Sequence, residues 1–415
     1  MEVKKGYKQT EIGMIPEEWN VTPLGTMATF RTGPFGSTLH KSDYVAGGVP
    51  VINPMQIVDG RLIPTNSMAV TEEAAQKLSE FRLTPGNVVI GRRGEMGRCA
   101  FVGKEHLGWI CGTGSMILRP LDVLDARYLQ RVLSSPPMVA AIENTSVGTT
   151  MINLNHGTLR NLLIATPPLP EQEAIAEALS DADGLIESLE QLVAKKRQIK
   201  HGAMQELLTG HKRLPGFSGE WIDRPLGRMA EIRSGGTPST TQRHYWDGNI
   251  PWCTPTDITA LNGSKYLHQT SRSISVEGLK ASSAEMLPVR SVVMTSRATI
   301  GECAISTVPV CTNQGFKNFI PHEDVDAEFL YYILTTKKED FTSLCGGSTF
   351  LEIGKTQLLP FVLRTPAVLA EQTAIATVLA DMDTEIAAIE AKLSKARLIK
   401  QGMMQELLTG RIRLV

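Results

Sequence analysis

From Glu171 onward the apolar residues recur alternately three and four positions apart, at Ile175, Leu179, Ala182, Ile186, Leu189 and Val193. The same spacing returns two hundred positions later, at Ile375, Leu379, Met382, Ile386, Ile389 and Leu393. A seam of this period predicts an amphipathic helix whose apolar stripe is the width of one partner helix and too narrow for a globular core. The two stretches, EQEAIA…MQELLTG from Glu171 and EQTAIA…MQELLTG from Glu371, align without insertion, and Met204–Gly210 is identical to Met404–Gly410. Acids stand early (Glu171, Asp181, Asp183) and bases late (Lys195, Lys196, Arg197, Lys200), as a helix dipole favours, and Asp381 and Asp383 take the same reading in the second copy. Pro170 suits a first turn, and Gly210 and Gly410 suit C-terminal stops. The two copies are expected to pair with each other as an intramolecular coiled coil; the alternative is two surface helices on a larger domain.

The rest of the chain is patterned in shorter units. Residues 1 to 16 read as a polar arm, and from Trp19 short β-rich runs (Val88 to Ile90, Met116 to Leu118, Leu162 to Ala165) mix with helical patterns (Glu72 to Phe81, Ala126 to Leu133) and many Gly/Pro turns. After the linker Lys212 to Trp221 the first domain is rewritten more loosely. Trp19 matches Trp221, Arg31 matches Arg233, Pro50 matches Pro251, VVIGRRGEMGRC matches VVMTSRATIGEC, and DARYLQRVL matches DAEFLYYIL. The organisation is therefore domain, helix, domain, helix, over 1–168, 169–212, 213–368 and 369–415, with a period far too long for a solenoid. The expected fold is α+β, with two similar heads separated by two long helices paired antiparallel about a pseudo-twofold axis. A helix of about 40 residues is ~60 Å long, so the heads are expected at opposite ends of it.

Composition removes several function classes. With 415 residues and a net charge of −1, the chain gives no compositional support for coating nucleic acid non-specifically. Its six cysteines form no C-x-x-C pair, which favours free thiols in a reducing compartment over disulfides or zinc. The lack of a long apolar run or signal-peptide core makes a cytoplasmic protein without a membrane span the expectation. The GKT string at Gly354 to Thr356 has Thr349 where a phosphate loop needs glycine, no G-x-G-x-x-G follows a strand, and TPPL at Thr166 lacks the flanking residues of an amino-methyltransferase loop. No catalytic residue and no metal ligand is assigned.

Loops rich in Gly, Ser, Thr and Arg carry the remaining chemistry. RTGPFGSTLHK from Arg31, GRRGEMGR from Gly91 and CGTGS from Cys111 recur in the second head as RSGGTPSTTQR from Arg233, SRATIG from Ser296 and CTNQG from Cys311. Each offers backbone N–H groups, hydroxyls and cations in one place, as phosphate and base-edge contacts require; each could equally be an ordinary surface turn. The domain order, the GGTPST…YWDGNIPW string from Gly235 to Trp252 and the EQ-x-AIA…QELLTG helices together resemble the specificity subunit of Type I restriction-modification enzymes. The likeness covers nearly the whole chain, and the first head departs from the string, with GPFGST…GGVPV from Gly33 to Val51.

That resemblance implies a non-catalytic DNA-recognition subunit. Each head would be a target-recognition domain reading one half of a bipartite sequence in double-stranded DNA, and the helices would set the gap between halves. Two modification (methyltransferase) subunits would dock on the structure and restriction subunits would join them. S-adenosylmethionine, ATP and magnesium would be bound by those partners and none by this chain. If the heads read different words, residues that coincide between copies should serve scaffold or phosphate roles: Arg31/Arg233, Ser37/Ser239, Thr38/Thr240 and Arg93/Arg297. Exposed polar residues that differ should discriminate bases: Arg92, Arg98 and Lys41, with Thr113 also differing, in the first head, and Thr237, Arg243, Asn313 and Gln314 in the second. The competing role for each is turn-stabilising or salt-bridging. Two other functions compete: a duplicated coiled-coil scaffold that bridges protein partners without reading DNA, and a self-sufficient nuclease or methyltransferase, against which the missing motifs weigh.

Overall fold

A computed structural model describes residues 5–36, 38–144, 153–345 and 351–414. The chain divides into two compact units, Met1–Glu190 with Ala391–Val415, and Gln191–Glu390. Four helices matter below: α1 (Ala126–Leu133), α2 (Leu169–Leu207), α3 (Ala327–Thr335) and α4 (Leu369–Leu407). The long pair, α2 and α4, are 39 residues each, as the repeat predicts.

In the first unit the head is built on strands β1 (Ala28–Thr32), β2 (Val88–Gly91), β3 (Cys99–Phe101) and β4 (Ser115–Pro120), in the order β3-β2-β4-β1, all antiparallel. β2 is fully buried because both its faces are covered, Val88 and Ile90 by the core that includes α1 and Val89 by a second apolar cluster around Val51, Ile52 and Ile110. Asp125 caps α1, accepting from the Tyr128 N–H at 2.8 Å. The second unit repeats the sheet with β5 (Ala230–Ser234), β6 (Val292–Thr295), β7 (Cys303–Ser306) and β8 (Phe316–Pro321), in the order β5-β8-β6-β7, and adds Tyr266–Leu267 beside β7. Asp326 caps α3 in the same way.

The two copies of the long helix pair antiparallel within each unit. In the first, Lys400 meets Asp183 at 2.5 Å and Arg397 meets Glu190 at 2.6 Å. In the second, Lys200 meets Asp383 and Arg197 meets Glu390 at 2.6 Å, the same pairs with the copies exchanged. The outer pairs, Arg397–Glu190 and Arg197–Glu390, are exposed and worth little each, so they set register more than stability.

Several expectations change. The first turns of α2 and α4 carry a face wider than a two-helix seam: Ile175, Ala176 and Leu179 lie in the first head's core with Trp19, Tyr128 and Leu407, and Ile375, Ala376 and Leu379 lie in the second head's core with Leu207, Phe329 and Leu330. Alanine at 176 and 376 broadens the stripe. Further along, Val193, Ile386 and Ile389 are buried, while Ile186, Leu189 and Leu393 are half-buried, as a narrow seam requires. Glu171, one of the early acids, and its match Glu371 are buried, at 2% and 1% exposed. Asp183 and Asp383 are ion-paired. The polar arm contains a hairpin, Tyr7–Thr10 with Gly13–Pro16, and the Tyr7 hydroxyl donates to the Gly410 carbonyl at 3.0 Å. Gly210 and Gly410 adopt φ of +74° and +68°, and a Cβ would strike the Trp221 ring at 2.9 Å and Pro16 at 2.5 Å, so both glycines are required by packing as well as by the helix stop.

Candidate nucleic-acid interface

In each head three loops converge at the same end of the antiparallel sheet. In the first, the Gly33 N–H donates to Ser115 O at 3.0 Å and the Arg92 N–H to Gly114 O at 2.9 Å, so the segments after β1 and β2 both lean on the 112–115 turn. Gly33 is needed there, since a Cβ would lie 1.9 Å from Gly112 O. In the second, the Gly236 N–H donates to Thr312 O at 2.9 Å and the Ser296 N–H to Gly315 O at 2.7 Å, which places the matched segments together again.

The cluster in the first head collects Arg31, Arg92 and Thr113, with Asn53 and His156 beside them. Arg92 Nε donates to Leu154 O at 3.0 Å, Thr32 Oγ1 bonds His156 Nε2 at 2.9 Å, and the Gly114 N–H donates to Asn53 Oδ1 at 3.3 Å. Burial, then Arg160, Arg92 and Arg31, holds the His156 imidazole below its ordinary pKa. Burial and the neighbouring Arg93 lower that of Arg92. Arg31, Arg92, Arg93 and Arg160 thus gather here although the chain's net charge is −1. Arg93 is exposed, and among the described residues it carries no ion pair.

In the second head, Thr237 bonds Gln314 across two loops, and Asn313 Oδ1 accepts from the Gly315 N–H at 2.9 Å, so three of the four residues expected to contact bases come together there. Lys317, 5% exposed in the middle of β8, reaches Ser296 Oγ at 3.5 Å and Glu352 Oε1 at 3.4 Å. The GGTPST…IPW string is explained by packing. Trp252 Nε1 donates to Gly236 O at 2.9 Å, Trp246 Nε1 donates to Ser239 O at 3.1 Å, and Arg272 sits 3.9 Å over the Trp246 ring. Two tryptophans thereby hold the Gly235–Thr240 loop; the first head has neither, which is why its sequence departs there.

The remaining candidates are placed less centrally. Lys41 and Arg243 are exposed, and each opens a separate 3-10 turn, Lys41–Asp43 and Arg243–Tyr245. Thr38 and Thr240 are exposed, Ser239 bonds Thr241 Oγ1 at 2.9 Å, and Ser37 lies outside the described residues. Four of the eight predicted cations are paired in the free chain: Arg31 with Glu80, Arg98 with Glu95 at 2.6 Å, Arg233 with Glu231 at 2.8 Å, and Arg297 with Glu352 at 2.9 Å. Sequence reading missed Asn53, His156 and Lys317. Only Lys317, a charge inside an apolar strand pattern, left a visible signal. Among the described residues, no group of three or more His, Cys, Asp or Glu side chains could hold a metal ion, and no helix is long and apolar enough to cross a membrane.

The paired heads, the recurrent loop clusters and the antiparallel helices define a duplicated DNA-specificity protein. The family model described as Type I restriction modification DNA specificity domain matches residues 16–200 and 218–396, and the chain belongs to that family, with two of its domains. It is 38% identical over 166 residues to the MjaIX specificity subunit of a Type I restriction enzyme from Methanocaldococcus jannaschii, a match that spans 40% of this chain and 38% of that one. With the MjaVIII specificity subunit of the same organism it is 22% identical over 433 residues, covering 99% of this chain and 96% of the relative. The fold is that of the S subunit of a Type I restriction-modification system from M. genitalium, at TM-score 0.60, 17% identity and 98% coverage of both chains.

Proposed function

We propose that this chain is the sequence-reading, non-catalytic subunit of a Type I restriction-modification complex, each head reading one half of a bipartite target in double-stranded DNA. The observation that carries the reading is the convergence, in both heads, of the same three loops at the end of the same sheet, with polar residues that differ at matched places. Matching scaffolds with unlike polar tips suit two different DNA words. Arg31/Arg233 and Arg93/Arg297 serve phosphates, and Arg92, Asn313 and Gln314 serve bases. The carboxylates that pair with Arg31, Arg233 and Arg297 hold these cations until phosphates replace them.

The long helices set the gap and dock two modification subunits, with restriction subunits joining; S-adenosylmethionine, ATP and magnesium belong to those partners. An exposed apolar groove of ≈ 510 Å³ in the first unit, lined by Leu185, Leu189, Ala396 and Ile399, supports docking on the helices. The test is a genome-wide map of methylated adenines with and without this chain. Loss of one bipartite mark is the expected result, and an unchanged map rejects the reading. A four-residue insertion in α2 alone lengthens that helix by ~6 Å, close to two base pairs, and should lengthen the preferred gap.

A further inference from the structure

In each unit, one aspartate of the long helix is gripped from two sides. Asp183 on α2 receives Arg131 Nη1 from the head helix α1 at 2.6 Å and Lys400 Nζ from α4 at 2.5 Å. Asp383 on α4 receives the Tyr332 hydroxyl from the head helix α3 at 2.6 Å and Lys200 from α2. DARYLQRVL and DAEFLYYIL align so that Arg131 and Tyr332 occupy the same position, yet the side chains are chemically unlike. The second unit restores the missing cation one bond away: Lys265, 7% exposed, donates to Tyr332 Oη at 3.0 Å and to Glu328 at 2.6 Å, and Tyr266 donates to Glu328 at 2.6 Å. Burial, and then the bond to Asp383, pushes the Tyr332 phenol pKa up, so the hydroxyl stays a donor. Two different sequences thus reach one arrangement: head cation, helix aspartate, partner-helix lysine.

A second contact stands nearer the helix start. Gln172 accepts from the Asp125 N–H at 2.9 Å and donates to Val123 O at 3.1 Å, and Gln372 accepts from the Asp326 N–H at 3.1 Å and donates to Asp324 O at 3.2 Å. Eleven positions separate each glutamine from its aspartate, ~16 Å along the helix. Apolar packing between head and helix is non-directional and resists sliding poorly, whereas two directional contacts that far apart stop a head from rocking about either one.

We propose that Asp183 and Asp383, with Arg131 and Tyr332, are positioning residues that fix the angle of each head on the long helices and thereby hold the gap between half-sites to one length. The proposal rests on the bipartite-reading function above. One base pair is ~3.4 Å of duplex axis, so rocking of a few ångströms at a head is enough to admit a neighbouring gap.

The test assembles the full chain with its modification subunits and offers duplexes with both half-sites constant and the gap varied by single base pairs, methylation being read by sequencing. For Tyr332→Phe and Arg131→Ala, discrimination against gaps one base pair longer or shorter should fall ~10-fold or more, the loss of one hydrogen bond to a charged group, with both half-site words unchanged. Arg131→Lys, which keeps the cation, should restore the single gap. A uniform loss of methylation or of melting temperature, with the gap distribution unmoved in both variants, overturns the positioning role. If the unsubstituted assembly itself shows no two-part preference, the function falls, and the proposal falls with it; the two failures are told apart by the unsubstituted control.

Discussion

Gln372 allows the head-to-helix contact to be weighed directly. Its side chain is 0% exposed and makes three bonds, from the Asp326 N–H at 3.1 Å and to Asp324 O and Pro366 O at 3.2 Å each. Gln372→Leu substitutes an apolar side chain one bond shorter and strips all three partners at once. Each buried polar group left without a bond costs about 1 to 3 kcal/mol, and the added apolar burial returns about 1.5 to 2 kcal/mol, so a net loss of about 3 kcal/mol is expected. For a unit of 200 residues, Gln191–Glu390, that corresponds to a melting transition lower by roughly 6 to 12 °C. Calorimetry of the full chain reads the shift, and hydrogen exchange at the Asp326 amide localises it. Gln172→Leu should produce the matching loss in the first unit, because Gln172 bonds Asp125, Val123 and Pro167 at 2.9, 3.1 and 2.9 Å. A shift under about 2 °C in both variants would mean that apolar packing alone holds the heads, and the reasoning fails.

Other consequences can be checked independently. Arg413→Ala leaves Glu171 buried without the guanidinium that meets it at 2.6 and 2.8 Å, and should destabilise the first unit by about 3 to 5 kcal/mol in chemical denaturation; Arg213→Ala should do the same to the second through Glu371. Burial works against the ionised Asp257, and bonds from the Ser271 N–H, the Thr254 N–H and the Thr254 hydroxyl outweigh it, so its folded-state pKa lies below the ordinary 3.8. The stabilisation is therefore complete above the unfolded-state value and is lost as pH falls through the folded one. Comparing melting against pH for Asp257→Asn and the unsubstituted chain should show a difference at neutral pH that disappears in acid. Asn313→Ala and Gln314→Ala should relax only the second half-site, each by about 1 to 3 kcal/mol of base discrimination in competition binding, leaving the first word intact.

The periodic elements could be read from the sequence because their signal is local. The spacing at Ile175, Leu179 and onward gives both long helices, and the helical pattern of Ala126 to Leu133 gives α1. What depends on partners far along the chain could not be read. Glu171 looks like a solvated acid until Trp19 and Arg413, 152 and 242 positions away, are seen around it. Arg31 reads as a free cation, yet Glu80, 49 positions along the chain, holds it. The loop cluster itself was partly legible through its recurrence, whereas Asn53 and His156 joined it through backbone geometry that composition does not encode.

The first unit is discontinuous in sequence, and this bears on the order in which the protein is made. Leu407 and Arg413, which complete the core and neutralise Glu171 there, are translated more than two hundred codons after the strands they cover. The second unit ends at Glu390. The head that leaves the ribosome first is thus the one finished last, and a chain cut off after residue 390 holds every residue of the second unit but leaves the first unit's buried acid without its cation.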